Sequence, residues 1–254
     1  MPIPLLTDFG TSDYYVGAIK GVIYSINASA NVIDITHDVA PQDIASAAFV
    51  LGACHQDFPV GTVFLCVVDP GVGSDRRAIV VETERYYFVG PDNGLFSFIL
   101  DERAAIHSIE NKAYFRRSVS ATFHGRDIFA PVAAHLSKGV EPHEFGSRID
   151  DPIVLAESEP TQIDENTIEG SVIHIDRFGN LITNLPASFA NRFSQIDIAG
   201  TSITILQGSY AAAEFDQSFA IVGSAGFIEI SVKNGSAAEK LNVGQDTPVR
   251  LILI

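Results

Sequence analysis

Strand-like and helix-like segments alternate over the first 140 residues of the chain. Short apolar runs predict strands buried on both faces, whereas apolar positions at helical spacing and an Ala-rich stretch predict helices between them. The predicted strands are Ile3–Leu6, Val32–Ile35, Val63–Val68, Ile79–Thr83 and Tyr86–Val89. The predicted helices are residues 14–26, residues 43–57 with Asp43 as N-cap, and Ile128–Leu136. This alternation predicts a mostly parallel α/β sandwich domain.

The pattern changes near residue 150. Residues 151–166 are acidic and irregular and include two prolines, which is typical of a linker. Beyond them, apolar and polar residues alternate between turn residues, which predicts an antiparallel β-barrel domain. Its predicted strands are Ile168–Ile175, Ile196–Ile198, Ile203–Leu206, Phe219–Val222, Phe227–Val232 and Val249–Ile254. We therefore expect domains over 1–150 and 167–254, joined by the 151–166 linker.

Composition narrows the classes of function. Sixteen Lys and Arg residues against 31 Asp and Glu residues give a net charge of −15, without the basic clusters that a nucleic-acid surface requires. No apolar run is long enough for a membrane span, and the N-terminal sequence does not resemble a signal peptide. Two cysteines, Cys54 and Cys66, cannot form a disulfide scaffold. The expected setting is cytoplasmic, with neither nucleic acid nor membrane as a partner.

Polar residues follow several predicted strands of the first domain, where ligands bind in parallel sheets. Asp8 ends the first strand and forms either a turn or a contact to a ribose diol. Asp13 either caps the helix at 14–26 or attracts an ammonium group. Asp69 lies in a Pro-Gly turn with Arg76 seven residues later, and His124 begins the sequence HGRD.

In HGRD, Asp127 is suited to cap the following helix, and Arg126 either faces a ligand or pairs with that aspartate. The set Asp8, Asp69, Asp92 and His124 also leaves a metal site open, because strand-end aspartates build such sites in hydrolases. A GxSxG nucleophile elbow, an HExxH zinc motif and a Walker P-loop are absent from the sequence.

The second domain offers fewer candidates. The amide of Asn180 can both donate and accept hydrogen bonds, which matches an adenine edge. Phe178 stacks on a ring or packs in the core. The turn that contains Ser224 either presents backbone amides to a carboxylate or is an ordinary β-turn.

Taken together, the ordered motifs resemble one known family, the S-adenosyl-L-methionine hydroxide adenosyltransferases, which are related to the bacterial fluorinase and chlorinase. The similarity extends from Leu5 to about Ala238. The motifs that carry it are LLTDFGTSDYYVG, VVDPGVGSDRR, VGPDNGLFS, TFHGRDIFAP and, in the second half, IDRFGNLITN.

The resemblance implies an enzyme that converts S-adenosyl-L-methionine and water into adenosine and L-methionine, with no cofactor and no metal. It implies a homotrimer with active sites at subunit interfaces. It assigns the catalytic set to Asp69, Arg76 and His124. The substrate contacts that it implies are Asp8 for the ribose, Asp13 and Asp176 for the methionine amino group, Phe178 and Asn180 for adenine, and Ser224 near the methionine carboxylate.

Departures from the related halogenases favour water over halide as the nucleophile. The halogenases have tyrosines at the positions of Asp69 and His124, and an extra loop that this chain lacks. In the second domain, Ala225 stands where the halogenases have arginine, and Lys233 stands where the hydrolases usually have asparagine. The alternatives to hydrolysis are a halogenase, a non-catalytic binder of S-adenosyl-L-methionine or adenosine, and a metal-dependent phosphatase.

Overall fold

A computed structural model describes residues 1–101, 103–156 and 159–254. The chain divides into two compact units, Met1–Leu155 and Ala156–Ile254, here called the N-terminal and C-terminal units. In the described part of the chain, no helix is long and apolar enough to cross a membrane.

A mixed seven-stranded sheet organises the N-terminal unit, in the order β2-β1-β3-β5-β4-β6-β7. Strands β2, β1, β3 and β5 are parallel neighbours, and the pairs β5-β4, β4-β6 and β6-β7 are antiparallel. The strands are β1 (Pro2–Thr7), β2 (Asn31–Thr36), β3 (Thr62–Val67), β4 (Ala78–Glu82), β5 (Tyr86–Pro91), β6 (Ala105–Ser108) and β7 (Arg148–Ile149).

Helices cover both faces of this sheet, so that strand β3 is buried on both sides. Val63, Leu65 and Val67 of β3 belong to the apolar core that contains α1 and α3. The alternate residues of β3 pack with α2 on the other face. The helices are α1 (Tyr15–Ile26), α2 (Ile44–Cys54) and α3 (Ala130–Ser137), the last preceded by a π-helical turn at Gly125–Phe129. This layering confirms the predicted α/β class.

Two local predictions about helix ends have opposite outcomes. Asp43 caps α2, since its side chain accepts a hydrogen bond from the Ser46 amide. Asp13 does not cap α1, because the helix begins after Tyr14 without a side-chain cap. Asp13 is exposed to solvent.

The C-terminal unit is a nine-stranded, largely antiparallel sheet, which confirms the predicted β character of this half. Its main path runs β12-β11-β16-β9-β10-β15-β14-β13, with β8 paired to β9. Among the described strands of this second sheet, only β13 and β14 pair in parallel. The sheet curls so that β12 approaches β14, which makes a half-barrel rather than a closed barrel.

The bounds of these elements differ from the sequence prediction at several points. The strands are β8 (Thr161–Gln162), β9 (Thr167–Ile175), β10 (Leu181–Pro186), β11 (Phe193–Ile198), β12 (Thr201–Ile203), β13 (Leu206–Gln207), β14 (Ser218–Val222), β15 (Phe227–Val232) and β16 (Pro248–Leu253), and helix α4 spans Ala237–Leu241. The strands β6, β7, β8 and β10 and the helix α4 were not predicted.

Candidate active site

Three side chains of the N-terminal unit form a hydrogen-bonded cluster. Asp69 follows β3, Arg76 precedes β4, and His124 precedes the π-helical turn. The guanidinium of Arg76 donates two hydrogen bonds to the Asp69 carboxylate, Nε to Oδ1 at 2.9 Å and Nη2 to Oδ2 at 2.5 Å. Nη2 also lies 2.9 Å from Nδ1 of His124. The structure therefore brings together the three residues that the family resemblance assigns to the catalytic set, and that assignment stays a prediction.

Glycine allows the two loops of this cluster to meet. Gly73, between Asp69 and Arg76, has a φ of +80°, and a Cβ atom at this position would collide with the carbonyl oxygen of Ala121. A larger residue would therefore push the Asp69 loop away from the loop that leads to His124. The guanidinium of Arg76 also lies over the Phe129 ring, 5.1 Å from its centroid.

A buried carboxylate holds the loop before His124. Asp127 is fully buried and accepts hydrogen bonds from the Ser120 amide and from the side chains of Arg116 and Arg126. Of the two readings of Arg126, the pairing with Asp127 is confirmed. Asp127 lies inside the π-helical turn, so the expectation that it caps the next helix is wrong.

The hydrogen bonds of the cluster define the state of His124. Arginine has no acceptor, so Arg76 must donate to Nδ1, and the neutral imidazole then carries its proton on Nε2. Burial, followed by the nearby Arg76 charge, lowers the pKa of His124, with Asp69 and Asp127 acting in the opposite direction. His124 is therefore a neutral hydrogen-bond donor through Nε2 at neutral pH.

The buried position of the Asp69–Arg76 pair strengthens its electrostatics. The two side chains are only 5% and 10% exposed, so water screens their charges weakly. Both oxygens of Asp69 accept from Arg76, whereas the second terminal nitrogen of Arg76, Nη1, takes part in none of these three bonds. The cluster thus combines the Arg76 cation, whose charge Asp69 balances, with the neutral N–H donor of His124.

Asp8 lies at the end of β1, where it contacts a second loop. Its Oδ2 accepts a hydrogen bond of 2.9 Å from the backbone amide of Gln42, whose φ is +67°. Nearby, the Gly10 amide donates to the carbonyl of His37, and Thr7 Oγ1 lies 2.8 Å from His37 Nδ1. These contacts fix the orientation of the Asp8 loop, and the Asp8 side chain remains half-buried.

Asp92 has a structural contact instead of a place in this cluster. It is buried, accepts a hydrogen bond of 2.8 Å from Arg77 Nε, and also accepts from the backbone amide of Ile153. Arg77 extends further to Asp151. Among the described residues, no three His, Cys, Asp or Glu side chains gather as a metal site requires. The open metal set of Asp8, Asp69, Asp92 and His124 is therefore not assembled.

In the C-terminal unit, Asp176 organises the loop between β9 and β10. Its Oδ1 accepts from the amides of Phe178 and Asn180, and its Oδ2 accepts from the Asn180 side chain at 2.8 Å. Gly179 has a φ of +79°, and a Cβ atom there would collide with Ser236. The loop therefore leaves the Phe178 ring 76% exposed, whereas Asn180 is buried. Of the two readings of Phe178, packing in the core is excluded.

A cleft of about 670 Å³ in this unit is lined by Phe178 and Asn180, two of the predicted substrate contacts. Its wall also contains Tyr210 and Lys233, which were not predicted as site residues. Lys233 was noted in the sequence only as a departure from the family pattern, and Tyr210 belongs to no motif. The cleft offers an aromatic surface, amide groups and one cation.

Ser224 lies apart from the residues that line this cleft. It is exposed on the turn between β14 and β15, in which the Gly223 amide donates to Phe227 and the Gly226 amide donates to Gly223. Two of the turn amides are therefore used inside the turn. These hydrogen bonds are those of an ordinary β-turn, which is one of the two interpretations that the sequence allowed.

Comparison with known proteins places these features in a family. The model of the SAM hydroxide adenosyltransferase N-terminal domain matches residues 3–146, and that of the C-terminal domain matches residues 170–250. The crystal structure of an uncharacterised conserved protein from Thermotoga maritima superposes with a TM-score of 0.92 at 38% identity, covering 98% of this chain and 99% of the other.

Curated relatives extend over the same length. An (R)-S-adenosyl-L-methionine hydrolase of Thermus thermophilus is 36% identical, with 99% of each chain covered. One from Methanocaldococcus jannaschii is 37% identical over 98% of this chain and 95% of the relative. A fluorinase from Actinoplanes is 28% identical over 72% of this chain and 71% of that protein.

Proposed function

The chain belongs to the SAM hydroxide adenosyltransferase family, and from this premise we propose that it hydrolyses S-adenosyl-L-methionine to adenosine and L-methionine. Water attacks C5′ of the adenosyl group. The C5′–S bond breaks, and its electron pair stays on sulfur, so that methionine leaves as a neutral thioether. The proton of the attacking water passes to solvent.

The observation that carries this proposal is the hydrogen-bonded cluster of Asp69, Arg76 and His124. The leaving group needs no protonation, so the difficult step is the supply of a reactive oxygen nucleophile. A nearby cation and N–H donors favour hydroxide over water at the same position. Arg76 provides the charge, the Nε2–H of His124 orients the oxygen, and Asp69 holds the guanidinium in place.

The substrate contacts follow the family pattern. Asp8 accepts hydrogen bonds from the ribose diol, and its orientation by Gln42 supports this role. Asp13 and Asp176 bind the methionine ammonium group. The exposed ring of Phe178 stacks on adenine, and the amide of Asn180 hydrogen-bonds to its edge.

The methionine carboxylate and the assembly complete the proposal. Ser224 is assigned to the carboxylate, although its turn already uses two of its own amides. The homotrimer with active sites at subunit interfaces stays a prediction of the family resemblance. Light scattering of the purified protein tests it, because a monomer or dimer would contradict it.

A direct assay tests the reaction. The protein is incubated with S-adenosyl-L-methionine without added metal, and the adenosine and methionine that it releases are quantified by chromatography. The two products are expected in equal amounts. Replacement of Asp69, Arg76 or His124 by alanine is expected to lower kcat by about 100-fold or more, with a smaller effect on substrate binding. Wild-type turnover in all three variants would contradict the assignment.

The same assay separates the alternatives. The halogenase alternative is tested by adding chloride or fluoride and analysing the products for 5′-halo-5′-deoxyadenosine. The similarity to a fluorinase is the reason for this test. Tight binding of S-adenosyl-L-methionine with no product of either kind would identify a non-catalytic binder. Activity that disappears with a chelator would favour metal-dependent chemistry instead.

A further inference from the structure

Tyr210 forms one wall of the C-terminal cleft, and two side chains hold it, one within β15 and one directly after that strand. The Nζ atom of Lys233 donates to the backbone carbonyls of Ala211 at 2.9 Å and Ala213 at 2.6 Å. The phenol of Tyr210 donates to Oε2 of Glu229 at 3.0 Å. The short helical segment that carries Tyr210 is thus tied to β15 at both its backbone and its ring.

The contact through the Tyr210 ring is rigid because its hydrogen-bond acceptor, Glu229, is buried. Glu229 is only 7% exposed, and it packs so closely on Gly223 that a Cβ atom at that glycine would overlap its carboxyl group. The Tyr210 ring also packs edge-on against Phe219, with 6.0 Å between the centroids. One end of the tyrosine is therefore fixed by packing and by a buried acceptor.

The tie through the backbone depends on Lys233. The segment Tyr210–Ala212 has no side-chain cap at Ser209, and one backbone hydrogen bond, from Ala212 to Ser209, closes its turn. Hydrogen bonds from a charged donor are stronger than those between neutral groups. Two such bonds from one ammonium group are the main polar restraint on this segment.

We infer that Lys233 is a positioning residue that sets the distance of the Tyr210 wall from Phe178, and thereby the affinity of the cleft for a purine base. This inference rests on the proposed function, in which Phe178 meets adenine. Both rings line the same cleft, so a shift of the Tyr210 segment changes the width available to a flat ligand. Lys233 acts through Tyr210, because two of its three N–H groups are already used on carbonyls.

The test compares Lys233→Met with Lys233→Arg and with Lys240→Met. Methionine keeps the length of the side chain and removes its donors, whereas arginine restores a cation with several donors. Lys240 is the matched control, since it also donates to a main-chain carbonyl of this unit, that of Asp216, and does not line the cleft. Adenosine binding is measured by calorimetry at a temperature where circular dichroism shows each variant to be folded.

Lys233→Met is expected to weaken adenosine binding about tenfold and to raise the KM for S-adenosyl-L-methionine, with kcat within about twofold of wild type. Lys233→Arg recovers most of the affinity, and Lys240→Met binds as the wild type does. A lower melting temperature of Lys233→Met with unchanged adenosine affinity would overturn the inference, because it would show a purely stabilising role.

The two proposals fail separately. Adenosine binding that responds to Lys233 in a protein that releases no adenosine from its substrate would leave the inference standing and remove the hydrolase assignment. Substrate hydrolysis by a protein whose adenosine affinity is unchanged in Lys233→Met would support the hydrolase assignment and overturn the inference about Lys233.

Discussion

Replacing Arg76 by lysine tests whether the forked guanidinium, rather than its charge alone, supports turnover. Arginine at this position makes three hydrogen bonds at once, two to Asp69 and one to His124. A lysine ammonium keeps the positive charge but cannot span both partners in the planar geometry of the fork. The substitution therefore removes about two of the three hydrogen bonds without removing the charge.

The expected magnitude follows from these contacts. Hydrogen bonds to charged groups contribute about 1.5–3 kcal/mol, and one to a neutral imidazole contributes less, so two lost bonds cost roughly 2–4 kcal/mol. At roughly 2–4 °C per kcal/mol for a unit of this size, the melting temperature falls by roughly 4–16 °C. Because His124 also loses the donor that fixes its tautomer, kcat is expected to fall by about 100-fold or more.

Arg77→Lys is the matched control, because Arg77 is the next residue in the chain and also pairs with a buried aspartate, although its own side chain is 34% exposed. Arg77 binds the buried Asp92 and extends to Asp151, outside the proposed site. Its replacement should lower the melting temperature to a similar degree while kcat stays within about twofold of wild type. Turnover assays and thermal unfolding followed by circular dichroism measure both quantities. Equal loss of kcat in the two variants, or wild-type kcat in Arg76→Lys, would refute the reasoning.

Three further predictions concern pH and the loops. Because the pKa of His124 is lowered in the folded state, the free energy of unfolding should decrease as the pH falls below 6.5, since the unfolded chain binds the proton more readily; an unfolding free energy from denaturant titration that does not decrease between about pH 7 and pH 5.5 would contradict this. Gly73→Ala should cost more than about 1 kcal/mol and lower kcat, whereas Gly139→Ala, also at positive φ but in open space, should cost less and spare kcat, as denaturant unfolding and turnover assays will show. Burial raises the pKa of Glu229, so the folded state loses stability as the pH rises above about 4.5, and Glu229→Gln should gain stability relative to wild type between pH 4 and pH 8 in thermal scans.

The sequence was most informative where burial dictates residue type. Val63–Val68 is apolar at every position because both faces of β3 are covered, and this run alone indicated a central strand. Asp69, which follows it, could be singled out because polar residues at the ends of such strands face a common edge. Asp43 was likewise predictable as an N-cap, since capping depends on residues three apart in the sequence.

Other features depend on partners far away in the sequence. In the sequence, Asp92 resembles Asp69, because both follow a predicted strand. Its structural role is visible only from its hydrogen bonds to Arg77 and to the backbone amide of Ile153. Strand β10, with the sequence LITNLP, has polar residues and a proline where a regular alternation is expected, and its pairing with β9 and β15 overrides that weak pattern. The role of Tyr210 in the cleft likewise depends on the distant side chains of Glu229 and Lys233.

The state of His124 bears on how the nucleophile is made. Its Nδ1 accepts from Nη2 of Arg76, and Asp69 accepts two hydrogen bonds from the same guanidinium, so two donors of the cluster, the Nε2–H of His124 and Nη1 of Arg76, take no part in these three bonds. Both are donors, and donors stabilise an anion rather than take a proton from water. In the reaction that we propose, hydroxide is therefore expected to form by loss of a proton to solvent, and the rate is expected to rise with pH until the bound water is fully ionised.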